Sequence, residues 1–217
     1  MARRTIVKVC GLTRRGDASW ALACGADWLG FVVHGDSPRR IAPEDAGRIV
    51  AAVGGALPVA VMVDVTPAEA LDLATRSNAR RVQLHRVDPA AWPDDFPLPC
   101  TFALGVTPEG RIVGDEPASK HLLLLDTSHG QQAGGTGRTW PWAVASSIAE
   151  RRDVMLAGGL NGDNVAEAIR TLRPFGVDAS SSLESSPGQK DPERVRRFIE
   201  AARASELESD PNPKDAR

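Results

Sequence analysis

Eight short apolar runs recur along the chain, each followed by a helix-sized or loop-like segment. They are residues 5–12 (TIVKVCGL), 28–33 (WLGFVV), 58–65 (PVAVMVDV), 81–85 (RVQLH), 101–106 (TFALGV), 121–126 (HLLLLD), 153–157 (DVMLA) and 176–180 (GVDAS). Runs this continuous read as strands buried on both faces, which a parallel sheet covered by helices provides. Eight such units in about 200 residues predict a single (β/α)8 barrel. A doubly wound open sheet is the alternative, but no G-x-G-x-x-G follows the first run, which disfavours a dinucleotide fold.

Helix signals fall between the runs. Gly25 ends a helix over residues 13–24, and Pro43 opens one with Glu44 and Asp45 in its first turn. Thr66 caps a third, with Pro67 first and Glu69 three residues on. Helices are also expected over residues 140–150, over residues 164–172, with Val165, Ala168, Ile169 and Leu172 on one face, and after Asp191–Pro192. The segment after the fourth run holds Pro89, Pro93, Pro97 and Pro99 and allows at most a short helix, and the one after the fifth is irregular. Residues 1–204 therefore read as the barrel. Residues 205–217 are charged and aperiodic and read as a disordered tail.

With 42% hydrophobic residues, a chain of 217 suits one domain with a full core. The net charge of -2, without a basic stripe, argues against nucleic acid as a partner. The N-terminal run carries Lys8 and is too short for a signal peptide or membrane span, so no membrane partner is expected. Cys10, Cys24 and Cys100 have neither metal-ligand nor disulfide spacing, which points to a cytoplasmic home. His34, His121 and His129 show no ligand spacing, so no metal is expected. No exposed apolar face is identifiable from the pattern, so oligomeric state is not read.

In this fold the active site lies at the C-terminal ends of the strands. The first strand delivers Lys8 and Cys10 there, the second leads to His34, Ser37, Arg39 and Arg40, and the third gives Asp64. The fourth gives Gln83 and His85, the sixth Asp126, the seventh Gly158 and Gly159, and the eighth Asp178, Ser181 and Ser182. Gly134-Gly135-Thr136-Gly137 follows Asp126, and its backbone N–H groups suit an anion. Loops after the seventh and eighth strands commonly hold a phosphate in this fold. Taken alone, Cys10 is as readily a core residue, Asp126 a loop anchor and His85 a structural histidine. Asp178 reads equally as a contact to a substrate hydroxyl or a support for its loop.

The combination KVCGLT, SPRRI, VQLH, DTSHGQQAGGTGRTWPW, LAGGLNGDNV and GVDASSSLESSPGQKD, in that order, resembles the phosphoribosylanthranilate isomerases of tryptophan biosynthesis. The likeness covers nearly all of residues 5–203. It implies an Amadori rearrangement of a phosphorylated aminosugar, performed without metal or organic cofactor. It implies that Cys10 is the general base, Asp126 the general acid and Arg39 the contact to the substrate's aromatic acid. Gln83, His85 and Asp178 would complete the substrate site. Gly135, Thr136, Gly137, Gly158, Gly159, Ser181 and Ser182 would hold the phosphate.

That chemistry requires a carboxyl pKa raised by burial and a thiol pKa lowered toward thiolate, with Lys8 or a helix N-terminus as aids to the latter. Two positions depart from the family pattern: Arg86 stands where QLHG has its glycine, and Ser182 stands where SSGVE has its glycine. Arg86 reads as a solvated cation, whereas Ser182 would either strain its turn or add a hydroxyl to the phosphate. These departures leave two alternatives: an isomerase recruited to another aminosugar phosphate, and a non-catalytic phosphate-binding barrel serving as a partner subunit.

Overall fold

The computed structural model describes residues 4–129, 132–133 and 140–208. Its eight barrel strands are β1 (Ile6–Val9), β2 (Trp28–Val32), β3 (Leu57–Val63), β4 (Arg81–His85), β5 (Cys100–Val106), β6 (Leu122–His129), β7 (Val154–Leu156) and β8 (Gly176–Ala179). Each pairs in parallel with the next, and β1 closes on β8 through Ile6↔Gly176 and Lys8↔Asp178. The expected (β/α)8 barrel is therefore the fold, and the open doubly wound sheet is not.

Side chains alternate along each strand, so one residue set faces the helices and the other the barrel interior. The outer set, including Val7, Phe31, Met62, Leu84, Phe102, Leu123, Leu125 and Leu156, packs on Ala18, Ala21, Ala46, Ala70, Ala74, Val165 and Phe198. The inner set is a separate cluster of Cys10, Trp28, Val32, Val59, Val61, Leu122, Leu124, Met155 and Ala157. Low in the interior, Trp28 stacks on Phe175 at 5.7 Å, and the Arg81 guanidinium lies 4.8 Å from the Trp28 ring centroid. Higher up, the same face becomes polar, and the chemistry lies there.

The helices are α1 (Arg15–Ala23), α2 (Pro43–Val53), α3 (Pro67–Arg76), α4 (Ser146–Ala149), α5 (Val165–Leu172) and α6 (Pro192–Glu208). Thr66 and Glu69 form the expected capping box of α3, and Asp191 Oδ1 accepts from the Glu193 and Arg194 backbone N–H groups at the start of α6. After β4 the chain makes only a short 3-10 turn, Pro89–Ala91, and after β5 a two-residue strand, Ile112–Val113, folds antiparallel onto β5.

Three boundaries differ from the sequence reading. Strand β6 does not end at Asp126, because β5 extends far enough to pair Gly105↔Asp126 and Val106↔Thr127. The helix expected over 140–150 is a 3-10 turn, Trp142–Ala145, followed by the four residues of α4. Neither start carries a side-chain cap. Residues 205–208 of the expected tail are instead the end of α6, which runs to Glu208, and the rest of that segment lies outside the described residues. Val195, Phe198, Ile199, Ala202 and Ser205 form a buried face at helical spacing, and the Ser205 hydroxyl donates to the Ala202 carbonyl at 2.7 Å.

Candidate active site

A cleft at the C-terminal mouth brings together Cys10, Arg39, Gln83, His85, Asp126, Gly158, Gly159, Asp178, Ser181 and Ser182. Val32, Val61 and Val63 supply an apolar wall with Ala157, Leu160 and Ala179, and Asp36, Ser37 and Ser180 complete the lining. Gly135, Thr136 and Gly137, the other residues expected at the phosphate, lie outside the described residues. Among the described residues no group of three or more His, Cys, Asp or Glu side chains could hold a metal ion.

The polar centre follows from the closure of the barrel. Pairing Lys8 with Asp178 across β1 and β8 directs both side chains inward at one level. Lys8 Nζ lies 2.6 Å from Asp178 Oδ2, and the lysine side chain is 0% exposed. Burial works to discharge Lys8, but Asp178 and Cys10 outweigh it and hold the ammonium above its ordinary pKa. Burial also pushes Asp178 up, against the pull of Lys8. At 2.6 Å from an ammonium the carboxylate stays ionised. Asp178 Oδ1 is buried without a hydrogen-bond partner among the described residues. Gln83 lies near enough to lower the carboxyl, and an acceptor so placed at the cleft can take a hydrogen bond from a ligand hydroxyl.

Asp126 is recessed on β6. Burial pushes its carboxyl up to about 6, the Asp178 charge adds to this, and the Thr127 backbone N–H, donating to Oδ1 at 2.8 Å, opposes it. Gly158 shapes the wall beside it. At φ +87 it adopts a backbone that side chains rarely take, and a Cβ there would clash with Thr127 Oγ1 and come 3.1 Å from Asp126 Oδ1.

Cys10 follows β1, and its N–H donates to the Ala179 carbonyl at 2.9 Å. Its thiol runs opposite to the sequence requirement. Burial raises its pKa and Asp178 adds to that, while Lys8 and Lys190 pull it down without prevailing. Cys10 is therefore held as a thiol. His85 is pushed down to about 4 by burial, with Lys8 and Arg86 adding to the effect, and is neutral at physiological pH. Gln83 Nε2 lies 3.0 Å from His85 Nε2, so a donating amide places the imidazole proton on Nδ1.

On the opposite rim, Arg39 points inward and Arg40 is exposed, which settles which of the two faces the cleft. Arg39 is held by Glu184, a buried residue to which the sequence reading assigned no role. Lys190 Nζ also donates to Glu184, at 2.8 Å. Both belong to the SSSLESSPGQKD motif. Their signal in the sequence was an acid and a base six residues apart around a Pro-Gly turn, which the structure folds into a two-stranded ribbon with Glu184 opposite Lys190.

Both departures are held by partners within the fold, although Arg86 lowers the His85 pKa and Ser182 lines the cleft. Arg86 sits at φ +53, a left-handed backbone, which explains the glycine usual there. Its guanidinium forms an exposed bidentate pair with Asp64, which is also left-handed at φ +52. Ser182 lies in a 3-10 turn, Ser181–Leu183, and is not among the positive-φ residues, so it causes no strain. Its hydroxyl donates to the Leu160 carbonyl, tying the loop after β8 to the loop after β7. His34 is structural, with Nδ1 2.9 Å from the Val63 carbonyl.

A closed parallel barrel with a buried carboxyl, a thiol and an ion pair at its C-terminal mouth defines a (β/α)8 enzyme equipped for acid–base chemistry. The family model described as N-(5'-phosphoribosyl)anthranilate (PRA) isomerase matches residues 7–201. An N-(5'-phosphoribosyl)anthranilate isomerase from Geobacter sulfurreducens is 39% identical over 201 residues, spanning 91% of this chain and 98% of its own. The crystal structure of phosphoribosyl anthranilate isomerase from Thermus thermophilus superposes with a TM-score of 0.80 at 35% identity, covering 92% of this chain and 99% of that one. A further phosphoribosyl anthranilate isomerase structure holds reduced 1-(o-carboxyphenylamino)-1-deoxyribulose 5-phosphate. It superposes with a TM-score of 0.76 at 32% identity, covering 92% of this chain and 99% of that one. The chain belongs to the N-(5'-phosphoribosyl)anthranilate isomerase family.

Proposed function

We infer that the protein converts N-(5-phosphoribosyl)anthranilate to 1-(2-carboxyphenylamino)-1-deoxyribulose 5-phosphate, a step of tryptophan biosynthesis, with Asp126 as general acid and Cys10 as general base. The observation that carries this reading is the raised Asp126 carboxyl, at about 6, in the same cleft as Cys10 and the Lys8–Asp178 pair. Ring opening needs a proton on the ribose ring oxygen. A carboxyl near 6 is partly protonated at neutral pH, and an anionic substrate that displaces water raises it further.

Proton transfer leaves an open-chain iminium, whose positive charge acidifies C2′. The same charge adds to Lys8 and Lys190 in favouring the thiolate of Cys10, whose thiol proton leaves to solvent. Cys10 then takes the C2′ proton, and the resulting enol-amine relaxes to the ketose. Asp178 Oδ1 accepts from a sugar hydroxyl, and the valine wall covers the anthranilate ring. Gly158, Gly159, Ser181 and Ser182 face the phosphate. The substrate is a small phosphorylated molecule, no cofactor enters the scheme, and the cytoplasm is the compartment we assign. Among the described residues no helix is long and apolar enough to cross a membrane.

Ser182 and Arg86 are satisfied by Leu160 and Asp64, so neither departure favours another substrate. The test is turnover of freshly made phosphoribosylanthranilate, followed by loss of its fluorescence. A purified, folded protein without turnover would refute the assignment.

A further inference from the structure

We propose that Glu184 is a positioning residue that selects which edge of the Arg39 guanidinium meets the substrate's aromatic carboxylate. The proposal rests on the isomerase reading above. Glu184 follows the 3-10 turn after β8, and its side chain is 4% exposed. Oε1 accepts from Arg39 Nε at 2.9 Å and from Lys190 Nζ at 2.8 Å, and Oε2 accepts from Arg39 Nη2 at 2.8 Å and Nε at 3.1 Å. Burial works to raise Glu184, but Arg39 and Lys190 outweigh it and hold the carboxyl below the usual range.

A guanidinium offers two forks of paired N–H groups, a side edge at Nε and Nη2 and an end edge at Nη1 and Nη2. Glu184 occupies the side edge. Nη1 makes no hydrogen bond among the described residues, so the end edge remains, on a side chain that lines the cleft. That edge matches a carboxylate in bidentate geometry.

The stem of Arg39 is fixed as well. It lies over Gly11, where φ is +71 and a Cβ would come 2.7 Å from Arg39 Cδ. With the stem against Gly11 and the side edge on Glu184, little rotamer freedom is left to lose on binding. Nor does Glu184 neutralise the clamp. It is one anion shared by two cations, Arg39 and Lys190, so the group stays positive toward the cleft. Lys190 is itself tied down by donating to the Ser180 carbonyl at 3.0 Å.

The test measures calorimetric affinities for two ligands, with a fold check by circular dichroism. One is reduced 1-(o-carboxyphenylamino)-1-deoxyribulose 5-phosphate, and the other is the same molecule without its carboxyl group. The intact protein should prefer the carboxylate ligand by about tenfold to hundredfold, as expected for charge-assisted hydrogen bonds. In Glu184→Gln this preference should fall below about threefold, while affinity for the carboxyl-free ligand stays within about twofold of its original value. Glu184→Asp keeps the charge but shortens the reach, so it should retain an intermediate preference.

A full preference in folded Glu184→Gln, or an equal loss for both ligands, would overturn the positioning role. Should Glu184→Gln not fold, an undiminished preference in Glu184→Asp would overturn it instead. No preference in the intact protein would overturn the Arg39–carboxylate contact, and with it the proposal, whereas failure of turnover would overturn the isomerase reading beneath it.

Discussion

Replacing Asp126 by asparagine should make the protein more stable and far less active, and pH should separate the two effects. The carboxyl lies at about 6 when folded, against an ordinary 3.8. That distance is roughly two pH units, and at about 1.4 kcal/mol each it is worth about 3 kcal/mol. The sign follows from which state holds the proton. Between pH 4 and 6 the folded chain binds it more tightly than the unfolded chain, so stability falls as pH rises through that window. Above it, the ionised Asp126 destabilises the fold by its full amount, and below it the effect vanishes.

An asparagine removes the charge and can still accept the Thr127 N–H bond that now reaches Oδ1. Partial solvent access at the mouth makes about 3 kcal/mol an upper bound, and a gain of about 1–2 kcal/mol at pH 8 is expected. Urea unfolding at pH 8 and pH 4.5 measures it, with the full gain at the first and only about a third of it at the second. Turnover should fall about 10²–10⁴-fold over the same comparison. An asparagine variant with equal gains at both pH values would refute the buried-charge argument, and one with near-normal turnover would refute the acid role.

Cys10→Ala should lower kcat by about 10²–10⁴-fold with the fold intact by circular dichroism; a rate within about tenfold of the original would remove Cys10 as the base. Lys8→Met strands Asp178 in the interior and should cost about 3–5 kcal/mol in urea unfolding. The double variant Lys8→Met/Asp178→Asn should recover most of that, and strictly additive losses would contradict the coupling. Arg86→Gly exchanges left-handed strain for the loss of an exposed ion pair, so its Tm should stay within about 4 °C and its KM should not change; a large rise in KM would give Arg86 a place in the substrate site.

The strand–helix alternation was legible because buried parallel strands must be continuously apolar, and eight of them leave few closed arrangements. Ends were less legible where they depend on a neighbour. Strand β6 continues past Asp126 because β5 reaches Val106 beside Thr127, and Ser128 and His129 then pair antiparallel with Ala133 and Gln132. The segment 140–150 carried a proline start and helical spacing, yet without a capping side chain it resolves into a 3-10 turn and one helical turn. In the site, strand order alone placed Cys10, Asp126 and Asp178 among many residues at the mouth, and the family resemblance singled out Cys10, Asp126 and the loop residue Arg39, which line one cleft with Asp178. Their electrostatics were only half legible: Asp126 is raised as the chemistry requires, whereas the Cys10 thiol is raised too, because its burial outweighs two lysines.

What divides the work between the two carboxyls at the mouth is long-range register. Lys8 and Asp178 stand 170 residues apart, and only closure of β1 onto β8 makes them partners. Asp178 acquires the ammonium and is held as the anion. Asp126, two strands away on β6, receives no such partner and instead feels the Asp178 charge through the barrel interior. Burial raises the proton affinity of both carboxyls in this cleft, but only Asp178 has an ammonium at contact distance to oppose it. Moving Lys8 would not merely weaken the fold. It would leave the buried Asp178 carboxyl without its ammonium and remove from Asp126 and Cys10 the positive charge that now pulls both down.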